Sequence, residues 1–205
     1  MYSPNYNHLD SRPELLAFLR ANNFPILVTG TGGVLHASHL PVTIHENGEQ
    51  IVIDMHMAKS NPQWKEFFDD EVMLIFTGPH AYVSPRWYAD AERVPTWNYT
   101  AVHAYGVPQI HSDRQAKADS QRRLIESLDP AWLPKHDALS RKYVDRMLEG
   151  IVNFSIPVAR IETRWKLSQN RGRQEMELIA AALEASGESG ARELAALTRR
   201  HCVEK

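Results

Sequence analysis

A chain of 205 residues, 43% hydrophobic and 23% charged, has ordinary globular composition and is long enough for one substantial core. A formal net charge of −2 excludes a general attraction to nucleic acid, while leaving room for a local basic face. Apolar runs such as Met73–Phe76 are too short to cross a bilayer, Cys202 has no second cysteine to pair with, and polar residues follow Met1 directly, which together predict a cytoplasmic protein.

Ser11-Arg12-Pro13-Glu14 is a capping box with proline near the helix start, and Leu15, Leu16, Phe18 and Leu19 follow at helical spacing. Ile26–Thr29, Val34–Ile44 and Gln50–His56 read as strands, separated by Gly30-Thr31-Gly32-Gly33 and by Asn47-Gly48, so two hairpins are expected. Ser60 with Gln63 three residues on reads as a second capping box, and Pro62 suits a first helical turn, so a helix is expected from Asn61 to about Phe68. Lys59 stands at its entrance. A helix N-terminus presents unpaired N–H groups and partial positive charge, which with a lysine makes a phosphate site; a solvated lysine beside an ordinary cap is the alternative.

Val72–Thr77 reads as a buried strand broken by Gly78-Pro79, with an extended pattern resuming over His80–Ser84. Pro85 to Pro95 reads as a loop, and Thr96 to Ile110 as one long strand bent at Gly106-Val107-Pro108. Helices follow over Ser112–Leu128 and His136–Leu148, joined across Pro130 and Pro134. Ile151–Ile161 makes a last strand, and helices near Gln174–Ala185 and Ala191–His201 close the chain. Strands joined by tight turns and flanked by helices, without βαβ alternation, predict an antiparallel barrel with peripheral helices, mainly β in an α+β arrangement.

Ten histidines invite a metal site, but His36 and His39 point to opposite faces of a strand, and no HExxH pattern occurs, so no metal is expected. No serine sits in a nucleophile elbow, and Gly30-Thr31-Gly32-Gly33 is explained as a hairpin turn. Trp97 and Asn98, beside Pro95, offer a flat wall and an amide for a planar ligand, or serve as core or dimer contacts. Lys166, Ser168, Gln169, Asn170 and Arg171 form a polar cluster that reads equally as a solvated turn and helix cap.

The blocks Phe76-Thr77-Gly78-Pro79-His80-Ala81-Tyr82-Val83-Ser84-Pro85-Arg86-Trp87-Tyr88, Val94-Pro95-Thr96-Trp97-Asn98-Tyr99 and Lys166-Leu167-Ser168-Gln169-Asn170 resemble signature blocks of the PaiB family. So do His36-Ala37-Ser38-His39-Leu40-Pro41 and His56-Met57-Ala58-Lys59-Ser60-Asn61-Pro62-Gln63-Trp64, and the likeness runs to about Leu183. Arg164-Trp165 departs from a smaller Gly-Lys pair common there. These are FMN-binding proteins to which negative transcriptional regulation is ascribed. The resemblance implies an FMN-binding split β-barrel of the pyridoxamine-phosphate-oxidase type over residues 1–185, a helical extension over 186–205, and a homodimer with FMN between subunits. It implies Lys59 as the phosphate partner, with Ser38, His39, His56 and Asn61 lining the pocket. Thr96, Trp97 and Asn98 would come from the second subunit, and Lys166, Gln169 and Asn170 would close the edge.

As to activity, the resemblance implies a flavin-binding regulator, and an FMN-dependent oxidoreductase acting on a small molecule is the alternative by fold analogy. Haem chemistry rests on the histidine count alone, and a dimer that has lost its flavin is the plainest alternative. Helix-turn-helix character is absent; Gln174–His201 carries Arg192, Arg199 and Arg200 but also many glutamates, and reads as a packing hairpin.

Overall fold

The computed structural model describes residues 1–67, 70–89 and 92–202. Helix α1 (Arg12–Ala21) starts where the capping box places it: Ser11 Oγ accepts from the Glu14 N–H at 3.4 Å, and Leu16 and Leu19 are buried. Strands β1 (Ile26–Thr31) and β2 (Val34–His39) form the first hairpin, turned by Gly32 and Gly33 with φ of 61° and 83°. Both central residues of that turn lie in the left-handed region that a twisted two-residue hairpin requires. Strands β3 (Val42–Asn47) and β4 (Gln50–Ala58) form the second hairpin.

The alternating stretch from Val34 to Ile44 is therefore two strands. Pro41 has no N–H for a ladder, and the neighbouring Leu40 and Val42 N–H groups donate to Pro25 O at 3.2 Å and Asn23 O at 2.9 Å. The chain passes directly from one sheet to the other at this break, and two later pairs of consecutive strands do the same. Strand β6 (Thr96–Gly106) gives way at Val107-Pro108 to β7 (Gln109–His111), and β8 (Ile151–Pro157) gives way at Val158-Ala159 to β9 (Arg160–Lys166). With β5 (Val72–Val83), the hydrogen-bonded orders are β2-β1-β5-β6-β9 and β3-β4-β8-β7. The pairings recorded along both sheets are antiparallel.

Gly78-Pro79 does not break β5, contrary to the sequence reading. Burial falls on Val72, Leu74 and Phe76 and then on Ala81 and Val83, so the inward phase slips by one residue across Thr77–His80, as in a bulge that tolerates proline. The expected helix after Asn61 is a single 3-10 turn, Pro62–Glu66; Phe68, its expected end, lies outside the described residues. Its cap is Asn61 rather than Ser60, with Asn61 Oδ1 accepting from the Gln63 N–H at 3.0 Å.

Helix α2 (Arg114–Leu128) is capped by Asp113 and tied to β4 by an Arg123–Asp54 ion pair of 2.7 Å. The single helix expected over His136–Leu148 is instead α3 (Leu133–Asp137) and α4 (Arg141–Glu149), because Ser140 turns aside to cap α4. Helices α5 (Arg173–Ser186) and α6 (Ala191–Arg200) form a hairpin turned through Gly187 and Gly190.

Two compact units divide the chain: Met1–Leu15, Thr77–Val102 and Glu162–Lys205 form the first, and Leu16–Phe76 and His103–Ile161 the second. Trp165, Leu167, Ile179, Leu183 and Leu194 are buried in the first; Leu19, Leu27, Ile53, Leu74, Phe76, Phe154 and Ile156 are buried in the second. Among the described residues no helix is long and apolar enough to cross a membrane.

A Cβ on Gly106 would lie 2.3 Å from the Pro157 carbonyl oxygen and 2.8 Å from Ile156 Cγ2, so backbone would have to move. Gly106→Ala is expected to cost about 1–3 kcal/mol in urea unfolding, and an unchanged midpoint would contradict the close approach.

Candidate functional site

In the second unit, Gln63 is 3% exposed and stands at the centre of a polar group. Its Nε2 donates to Leu27 O at 3.3 Å, Thr29 Oγ1 at 3.2 Å and His36 O at 3.2 Å, while its Oε1 accepts from Ser38 Oγ at 2.6 Å. Asn61 Nδ2 donates to the same Ser38 Oγ at 3.0 Å. One buried amide thereby fixes β1, β2 and the Pro62–Glu66 turn against each other. At its margin Glu66 accepts from Thr29 Oγ1 at 2.6 Å and meets His36 Nδ1, and these partners, Thr29 first, hold its carboxyl below the usual carboxylate range.

Lys59 is exposed just before this turn. Its N–H donates to Gly150 O at 2.8 Å and its carbonyl accepts from Trp64 Nε1 at 3.0 Å, so the backbone is fixed on both sides of a free-reaching side chain. One 3-10 turn capped by Asn61 is not the helix N-terminus that the sequence suggested, and the placement of Lys59 rests on these two bonds. His39 lies elsewhere, its ring stacked on Phe24 at 5.9 Å. His56 is in register with Asn153, whose Nδ2 donates to Ser120 Oγ of α2, so His56 belongs to the face of the sheet that α2 covers. Burial pushes its pKa down.

The first unit holds the remaining candidates. Lys166, at the end of β9, donates to Thr96 Oγ1 on β6. Fully buried Asn98 exchanges hydrogen bonds with Ser168, Nδ2 to Oγ at 3.0 Å and Oγ to Oδ1 at 3.2 Å. These bonds hold Ser168 at φ 67°, a left-handed conformation that costs a non-glycine residue about 1–2 kcal/mol. Gln169 is consumed inside the same turn: its Oε1 accepts from the Leu167 N–H at 2.8 Å and its Nε2 donates to Trp165 O. Asn170 borders a cavity of about 170 Å³ together with Thr96 and Lys166. Trp97 points the other way and is exposed, edge-on to Tyr82 at 6.2 Å. Burial, and then the charge of Arg164, push the Lys166 pKa down.

The structure thus joins Ser38 with Asn61, Thr96 with Lys166 and Asn170, and Asn98 with Ser168; His39, His56 and Trp97 stand outside these groups. Sequence reasoning missed Gln63, Thr29 and Glu66 as members. Gln63 showed only as the third residue of a capping box, and its partners lie 25–36 residues away in sequence. Among the described residues no group of three His, Cys, Asp or Glu side chains is placed to hold a metal ion.

The two sheets and their helices form an antiparallel split β-barrel. The fold aligns with the flavocytochrome Anf3 from Azotobacter vinelandii at a TM-score of 0.57 and 16% identity, covering 79% of this chain and 74% of that one. It aligns with the FAD and heme binding protein from Mycobacterium smegmatis at 0.61 and 14% identity, covering 89% and 81%. Residues 1–160 match the family model described as "Putative FMN-binding domain". The chain is also 35% identical, over 96% of both lengths, to the protease synthase and sporulation protein PAI 2 of Bacillus subtilis. The chain belongs to this FMN-binding family, and FMN is its cofactor.

The side chains present fit that cofactor. Lys59 offers an exposed ammonium for a phosphate monoester, and Ser38 and Asn61 present a fixed hydroxyl and amide of the kind that hydrogen-bond the polar edge of a planar ring.

Gln63→Leu is expected to lower stability by about 1–3 kcal/mol in flavin-free protein, because Ser38 and Thr29 lose a buried partner. Equal unfolding midpoints for variant and wild type would show that the amide is not the organiser. His56 gives a second test. Its depressed pKa makes a contribution that is complete above the ordinary value near pH 6.5 and is lost as pH falls through the lower folded-state value. The acid-side drop in thermal midpoint between about pH 7 and about pH 5 is therefore expected to shrink in His56→Gln; parallel curves would contradict it.

Proposed function

We propose that this protein is a cytoplasmic, FMN-binding homodimer that acts as a negative regulator, with the flavin controlling association with another macromolecule. The observation that carries the flavin part is the Gln63-centred group beside Lys59, in a chain of an FMN-binding family. In this reading Lys59 takes the phosphate and Ser38 and Asn61 face the ring edge, while His39, stacked on Phe24, and His56, on the face that α2 covers, stand outside the group and take no part. Thr96 and Trp97 of the second subunit supply the opposite wall and Lys166 and Asn170 close the edge, with Asn98 and Gln169 holding the turn behind them.

The dimer is supported by strand β2, whose residues are almost all exposed although Val34 and Leu35 are apolar and 57% and 75% exposed. An apolar edge strand left open invites pairing with another chain. Regulation is supported by the Bacillus subtilis relative, which is named for protease synthesis and sporulation. A protein partner is favoured over DNA. Arg199 of α6 is held by Glu177 at 2.8 Å and by Glu184, and Arg200 lies 3.8 Å from Glu14, so these cations already face carboxylates.

A second reading, an FMN-dependent oxidoreductase, is favoured by the cavity beside Thr96 and Lys166, which has room for a small substrate. Bound FMN supplies the electron transfer in either case. Reoxidation of the reduced flavoprotein by a candidate acceptor faster than by oxygen would favour this reading over regulation.

Lys59→Ala is expected to weaken FMN binding about 10- to 100-fold and to leave riboflavin binding nearly unchanged, read from the bound visible band. Equal losses for both flavins, or none, would remove Lys59 from the phosphate.

A further inference from the structure

The cavity of about 170 Å³ in the first unit is lined by three cationic side chains, Arg164, Lys166 and Arg171, and by no acidic one among the described residues. It is smaller than the roughly 300–1,000 Å³ of pockets that enclose a drug-sized ligand, so it suits a compact group. Two of its lining residues carry buried polar atoms without a hydrogen-bond partner among the described residues: Arg164 Nε, a donor, and Asn7 Oδ1, an acceptor. Asn7 is 2% exposed, so water does not freely satisfy it.

The guanidinium groups are held in place rather than waving in solvent. Arg164 lies between the rings of Tyr2 and Tyr99, at 5.4 and 5.6 Å, and Arg171 lies over Tyr88 at 5.5 Å. Two acids of the unit are engaged with other cations: Glu162 with the Met1 amino group and Glu175 with Arg93 at 3.0 Å. Burial, and then the like charge of Arg164, push the Lys166 pKa down, and a bound anion beside these two cations would offset both effects.

We propose that this cavity binds the phosphate group of a small phosphorylated molecule other than the flavin. A phosphate that keeps one proton, as hydrogen phosphate or as the monoanion of a phosphate monoester, presents charged oxygens to Arg164 and Lys166 and its O–H to Asn7 Oδ1, matching both the missing charge and the two orphaned atoms. This deepens the flavin reading by naming the chemistry of the second ligand, and it rests on the FMN phosphate being held elsewhere, at Lys59, with Thr96, Lys166 and Asn170 shared between the flavin's edge and this cavity.

Isothermal titration of the FMN-loaded, full-length protein with inorganic phosphate tests it. One saturable site per chain is expected, weakened at least about tenfold in Arg164→Gln, while the flavin band is retained. Asn7→Asp is nearly isosteric and places a carboxylate among the cations, so it is expected to abolish phosphate binding and raise the thermal midpoint, a combination that misfolding does not produce. Lys59→Ala is expected to weaken FMN and spare phosphate. No saturable heat with wild type up to about 10 mM phosphate overturns the proposal. Phosphate binding only to flavin-free protein, blocked by FMN and not by riboflavin, also overturns it, because the cavity then holds the flavin's own phosphate. Failure of the wild type to retain FMN, with phosphate still bound, would instead strike the flavin reading alone.

Discussion

The arrangement depends on one close approach of backbone to backbone. Gly106 ends β6 as the chain leaves the five-stranded sheet, and Pro157 ends β8 as it leaves the four-stranded one; a side chain on Gly106 would meet the Pro157 carbonyl at 2.3 Å. Two hydrogen bonds of 2.8 Å, Val158 N–H to Ile51 O and Ala159 N–H to Tyr105 O, lock the crossing. Two changes of sheet thus share one anchor. A one-residue slip in β6 or β9 would reverse its faces and unmake the Lys166–Thr96 pair.

A second constraint works at smaller scale. Gln63 gathers carbonyls from β1 and β2 and hydroxyls from Thr29 and Ser38 into a group with few free choices. A half-satisfied buried network is costly, so each member restricts the rotamers of the others. Ser38 and Asn61 are therefore held in a prepared arrangement, which under the proposed flavin role would limit the entropy lost when the cofactor docks. The neutral character of this group suits a ring edge, and the cations on β9 and its following turn suit anionic oxygen.

The hairpins, α1 and the α5–α6 pair were legible because turn glycines, caps and apolar spacing are local signals. The three direct strand-to-strand changes of sheet were not. An extended pattern continues through Leu40-Pro41, Val107-Pro108 and Val158-Ala159, and periodicity does not report which sheet a strand joins. Gly78-Pro79 misled in the opposite sense, because a bulge absorbs a proline that would end a regular ladder. Within the candidate site, Ser38, Asn61, Thr96 and Lys166 were legible through the family resemblance. Gln63, Asn7 and Arg164 were not: their significance lies in burial and in partners, or missing partners, that arise from residues distant in sequence.

A shared flavin site in a homodimer is tested most directly by subunit complementation. Lys59→Ala and Trp97→Ala chains, each deficient in FMN binding as homodimers, are mixed by unfolding and refolding, and the heterodimer is isolated by differential tags. Its flavin content then decides the matter. If one subunit supplies Lys59 and the other Trp97, the heterodimer contains one intact site and recovers half of the wild-type FMN content with wild-type affinity. If both residues act on a flavin held within a single chain, the heterodimer contains no intact site and recovers none.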